Sequence, residues 1–168
     1  MYLLLHQLLS NQRIYSSPLD IMLPRLVAAL QEDFLSFADC GAGVGDVAAQ
    51  YAEYLRSSLN HELLPRARVY CYEPLPENLA VLRRRFSAHG LYKVRPVAVA
   101  DSAGRARFSV PHRMTGDSGA WAVGTSFDGY LDAAETPNHE SIEVETVRLQ
   151  DELASGFDFV KMDLQGGE

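Results

Sequence analysis

Apolar positions along the chain follow two rhythms, short continuous runs and stretches that repeat every three or four residues. FLSFADC (34–40) is a continuous run that ends in glycines, as a buried parallel strand does. In 46–59 the residues Val47, Tyr51, Tyr54 and Leu55 recur at helical spacing. RVYCYE (68–73) is a second strand closed by Pro74, and 76–89 is helical again, with Gly90 placed to end it. KVRPVAVA (93–100) reads as a third strand. Pro96 removes a ladder donor there, so that strand is expected at a sheet edge or with a bulge.

After Asp101 the rhythm changes. RARFSV (105–110) and SIEVETV (141–147) predict antiparallel strands on either side of a polar loop, 111–139. Its length and its glycines, Gly116, Gly119, Gly124 and Gly129, point to a functional or mobile segment. A short helix over 151–154 and a last buried strand, FDFVKMD (157–163), follow. Upstream, DIMLPRLVAAL predicts a helix from near Pro18, bent at Pro24, and MYLLLHQLL a helix that packs on the domain or on a partner. The chain thus divides into an N-terminal helical segment, 1–33, and an α/β domain with a mostly parallel sheet, 34–168.

Composition narrows the classes. The chain has 168 residues, 47% of them apolar and 22% charged, which suits one soluble domain. A net charge of −7 argues against binding the phosphate backbone of nucleic acids. The one basic cluster, Arg83-Arg84-Arg85, shares a helical stretch with Leu79, Leu82 and Phe86 and reads as a solvated flank. Cys40 and Cys71 lie in strand-like runs, as buried reduced thiols of a cytoplasmic protein would, and no ligand cluster predicts a metal. The apolar opening lacks the basic start and cleavage site of a signal peptide. It is also too short to span a bilayer, so no membrane association is expected.

The turn DCGAGVGD carries the candidate chemistry. Dinucleotide binders use G-x-G-x-x-G to bring a pyrophosphate to a helix N-terminus. Here the glycines are Gly41, Gly43 and Gly45, followed by Asp46 and preceded by Asp39, and two acids at a turn repel a pyrophosphate. S-adenosylmethionine, with a sulfonium and an ammonium and no phosphate, suits such a turn better. Asp39 is then expected to hold the ammonium, directly or through water, while the glycine backbone approaches the methionine portion. Glu73 is expected at the ribose hydroxyls, Asp101 at the adenine amino group and Asp163 beside the transferred methyl. All four acids follow or end strands, where open parallel sheets bind ligands. Asp101 serves equally well as the opening of a turn to Gly104, and a helix cap is the lesser alternative for Asp163.

FADCGAGVGD, VYCYEPLPENLAVLRRRF, PVAVADSAGRARFSV, VETVRLQDEL and FDFVKMDLQGGE together resemble the FkbM-type S-adenosylmethionine-dependent methyltransferases, in the family's order and over about 34–168. The resemblance implies a class I, Rossmann-like methyltransferase fold, to which the antiparallel strand pattern after Asp101 adds a hairpin-like insertion. It also implies O-methylation of a small hydroxylated acceptor such as a sugar or natural product. By motif match, Asp39, Gly41, Gly43 and Glu73 contact the cofactor, joined by Gly45 in the same turn and by Asp101 and Asp163. The chain departs from the family at Gln165, where Glu is usual, and it stops after the fourth strand of a fold that normally adds a helix and three strands.

Asp163, His112 and His139 are the candidate bases for an alcohol acceptor, and the lone Trp121 is expected to pack the loop. The absent strands raise a second reading, a non-catalytic or partner-dependent cofactor-binding module. A nicotinamide-dependent oxidoreductase is a third, disfavoured by the glycine spacing. The apolar N-terminal helices also offer a face for a homodimer.

Overall fold

A computed structural model describes residues 35–111, 126–127, 139–152 and 156–164. The expected N-terminal helices, most of the polar loop with His112 and Trp121, and Gln165 lie outside these residues.

A glycine turn joins β1 (Ser36–Cys40) to α1 (Asp46–Ser58). A 3-10 turn, Leu64–Arg66, leads into β2 (Arg68–Tyr72), then α2 (Pro76–Phe86) and β3 (Tyr92–Arg95). After β4 (Ala98–Val99) come β5 (Gly104–Pro111), β6 (Ser126–Phe127) and β7 (His139–Val147). A short helix, α3 (Leu149–Glu152), precedes β8 (Phe159–Met162).

Among the described residues the strands form two sheets. The first, β3-β2-β1-β8, is parallel throughout, with Phe37 opposite both Val69 and Phe159 and with Val69 opposite Tyr92. Its central β1 is covered on both faces, which is why its apolar run is continuous rather than alternating. Phe37 faces α1, where its ring stacks on Tyr51 at 4.2 Å and on Phe159 at 5.6 Å. Ala38 and Cys40 face the other way, toward Tyr72, Val97, Val99 and Leu164.

The buried side of α1 is Ala48, Tyr51, Ala52 and Leu55. Val47 and Tyr54, expected on that face, are only half-buried. Two alanines hold the central positions, and alanine weighs little in an apolar pattern even where it lets a helix lie close to a sheet. The second helix ends at Phe86 rather than at Gly90. Phe86 stacks on Tyr92 at 3.8 Å, and the chain turns back through His89 N–H donating to Phe86 O and Tyr92 N–H to His89 O.

Pro96 divides the expected third strand. β3 stays at the edge of the parallel sheet, as a proline-ended strand should, and β4 enters the second sheet, β4-β7-β5-β6. There β4 runs parallel to β7 from Ala98 opposite Thr146, while β5 and β7 pair antiparallel from Gly104–Thr146 to Pro111–His139. This is the expected hairpin-like insertion. Its inner side chains, Phe108 and Val144, pack on Ala98 and on Leu75 of the loop after β2. The short helix forms two residues earlier than expected, with Arg148 Nε 2.9 Å from Asp151 at its start. The last strand is buried on one side only: Phe159 joins the α1 face, whereas Val160 and Met162 are 37% and 45% exposed.

Where β1 and β8 begin, Asp158 Oδ2 accepts from Leu35 N–H at 2.9 Å, Ser36 N–H at 2.8 Å and Ser36 Oγ at 2.8 Å. Asp158→Ala is expected to lose about 1–2 kcal/mol of unfolding free energy in urea, and Asp158→Asn less, since an amide oxygen still accepts. An alanine variant as stable as the parent would show that these bonds do not hold the strands together.

Candidate functional site

The turn after β1 is shaped by what surrounds it. Gly41 N–H and Ala42 N–H both donate to Tyr72 O at 3.0 Å, which ties the turn to the end of β2. Gly41 has φ +74°, and a Cβ there would lie 2.1 Å from Asp163 O, so the backbone after β8 packs directly on the turn. Gly45 has φ +86°, and its Cβ would lie 2.6 Å from the Phe86 ring and 2.7 Å from Leu82, where α2 crosses. The glycines are therefore needed for the approach of two neighbouring elements, beyond any approach of a ligand.

Glu73 follows β2 and is 4% exposed. Its Oε2 accepts from Gly43 N–H at 2.8 Å and its Oε1 from Leu75 N–H at 3.0 Å. Burial pushes this carboxyl above its ordinary range, and the two N–H groups and the Asn78 amide pull the other way. Asn78 itself is 1% exposed, and neither polar atom of its side chain has a well-aligned hydrogen bond.

Asp39 on β1 is wholly buried and stands opposite Lys161 of β8 in the parallel ladder. Lys161 Nζ lies 3.1 Å from Asp39 Oδ1, although neither Asp39 oxygen has a well-aligned hydrogen bond. The ammonium donates to Gly41 O at 2.9 Å and lies 3.9 Å from Asp163 Oδ2. Burial raises the Asp39 pKa, and the neighbouring ammonium opposes the rise.

The expected residues thus separate. Asp39, Gly41, Gly43, Gly45, Glu73 and Asp163 gather at the C-terminal ends of β1, β2 and β8. Asp163 is outermost, its side chain 57% exposed and its N–H donating to Cys40 O at 3.1 Å. Asp101 is exposed and accepts from Ser102 Oγ at 3.0 Å. Among the described residues no hydrogen bond or ion pair links it to Asp39 or Glu73. His112 lies outside the described residues. His139 enters β7 through its backbone, opposite Pro111.

Three further residues belong to the cluster. Arg85, exposed as the solvated-flank reading expects, also reaches from α2 to Asp46 Oδ1 at 2.6 Å and to Val44 O at 3.1 Å, and so fastens the turn from outside. Asn78 and Lys161 are the other two. A lysine inside the run FDFVKMD was the available signal for the last, because a charge in a buried strand demands a partner.

Gly41→Ala is expected to destabilise the chain by at least about 2 kcal/mol, from the left-handed backbone and the clash with Asp163 O together. Chemical unfolding measures this, and a loss of a few tenths would contradict the close approach. A second outcome concerns pH. Glu73 keeps its proton to higher pH in the folded chain than in the unfolded one, so its burial penalty is absent in acid. The penalty grows as pH rises from the ordinary value of 4.5 and is complete above the raised value. Glu73→Gln removes that term and should flatten the fall of stability with rising pH. Parallel profiles for the two proteins would contradict it.

Among the described residues no helix is long and apolar enough to cross a membrane. A search of curated proteins returned no match. The model of the methyltransferase FkbM domain matches residues 39–168, from the buried acid of β1 through both sheets and β8. The parallel sheet with its glycine turn after β1 is Rossmann-like, in keeping with a methyltransferase fold. By that match over most of its length, the chain belongs to the FkbM methyltransferase family.

Proposed function

We propose that this methyltransferase uses S-adenosylmethionine and methylates a hydroxyl of a small acceptor, a sugar or a natural product. The observation that carries the reading is the charge at the strand ends. Asp39, Glu73 and Asp163 surround the glycine turn against one ammonium, Lys161, and among the described residues Glu73 has no cationic partner. A cluster of acids favours a cationic ligand and disfavours a pyrophosphate, by roughly 4 kcal/mol for a charge pair at about 4 Å and an effective dielectric of 20.

The residues fit such a donor. A carboxylate has about four lone-pair sites, so Glu73 would still accept ribose hydroxyls beside its two backbone N–H groups. Asn78 carries buried polar atoms without aligned partners next to it. The glycine turn and Asp39 would border the methionine end, and Asp101 the adenine. When bound, S-adenosylmethionine supplies a methyl group on a sulfonium. The chain's own part is to align the acceptor, exclude water and take the hydroxyl proton. Asp163, exposed beyond β8, and His112 are proposed for that proton. A cytoplasmic location, with Cys40 and Cys71 as buried free thiols, belongs to the same reading.

Calorimetric titration with S-adenosylhomocysteine tests the donor. One-to-one binding is expected, weakened at least about tenfold in Glu73→Gln. Binding of NADH in place of S-adenosylhomocysteine would reverse the reading.

A further inference from the structure

Lys161 carries a charge in the middle of the strand FVKM, and its side chain is only 9% exposed. An ammonium that leaves water is strongly destabilising unless acceptors replace its hydration. Gly41 O accepts from it at 2.9 Å, and the carboxylates of Asp39, at 3.1 Å, and Asp163, at 3.9 Å, balance its charge. Two of these groups belong to β1 and its turn and the third to the end of β8. One ammonium therefore joins two strand ends at the point where Gly41 has no side chain and Asp163 O packs against it. Lys161 lies within the residues that the family model matches.

Resting on the donor proposed above, we infer that Lys161 is a positioning residue for the donor's methionine end, acting through the Gly41 carbonyl and the Asp39 carboxylate. Asp39 is wholly buried and already faces the protein's own cation. It therefore sets the turn in place rather than serving as the direct partner of the ligand's ammonium. That ammonium then lies outside the Asp39–Lys161 pair, toward the rim of the same cluster. Glu73, on the far side of the turn, keeps the ribose. The two ends of the ligand are then held by separate parts of the site, and a change at Lys161 should affect one end only.

Two probes separate the ends. S-adenosylhomocysteine has the amino-acid end, and 5′-methylthioadenosine lacks it. Lys161→Met removes the charge, and Asp39→Asn with Lys161→Met removes both charges together, so that no buried ion is left unpaired. By calorimetry the double variant should bind methylthioadenosine within roughly threefold of the parent chain and S-adenosylhomocysteine at least about tenfold more weakly. Lys161→Arg, which keeps the cation, should recover S-adenosylhomocysteine binding to within about fivefold. A folded double variant that binds S-adenosylhomocysteine as the parent does would overturn the inference. So would an equal loss of both probes, because the damage would then reach the ribose end. Failure of the parent chain to bind either probe defeats the donor reading itself, and the positioning role falls with it.

Discussion

Glu73 accepts Gly43 N–H at 2.8 Å through one carboxylate oxygen and Leu75 N–H at 3.0 Å through the other. That pair of bonds joins the turn after β1 to the loop after β2, and the candidate site is the space they define. The backbone reinforces the joint, since Gly41 and Ala42 both donate to Tyr72 O one residue before Glu73. Packing supports it from two sides. Leu75 lies in a cluster with Ala98, Phe108 and Val144, so the core of the inserted hairpin holds the loop whose N–H binds Glu73. Phe86 and Leu82 of α2 press on Gly45 at the other end of the turn, with Phe86 stacked on Tyr92 behind them.

This arrangement places costly groups above a well-packed base. Burial raises the carboxyls of both Asp39 and Glu73, so each ionised acid opposes folding to some degree. Below them Phe37, Tyr51 and Phe159 stack between α1 and the sheet, and Asp158 ties the starts of β1 and β8. The buried acids stand where the strands end. Buried polar groups that do not stabilise a fold are found where a ligand is to be met.

Much of this was legible along the chain because it depends on local order. The glycine turn, the acids that end or follow strands, the proline that forces β3 to an edge and the antiparallel insertion all follow from residues close together in sequence. What was not legible depends on which strands become neighbours. Lys161 faces Asp39 only because β8 pairs with β1 in one register, across more than a hundred intervening residues. Arg85 reaches Asp46 only because α2 crosses the start of α1, and a spacing argument sees it as one of three exposed arginines. The face of α1 follows the expected spacing through Tyr51 and Leu55, but its close seat on the sheet comes from Ala48 and Ala52, which contribute closeness rather than hydrophobic weight. Asp101 admits two readings along the chain, and the structure shows it exposed with a local Ser102 partner.

The central claim is that the donor lies against the turn between β1 and α1, beneath Glu73. Backbone amide shifts of the labelled chain, followed as S-adenosylhomocysteine is added, test it most directly. The account predicts the largest changes at Gly41, Gly43, Gly45, Leu75 and Asp163, with β3 and the 3-10 turn unmoved. Changes centred instead on Arg56, Arg68 and His89, around the groove beside Pro65 and Leu91, would contradict it.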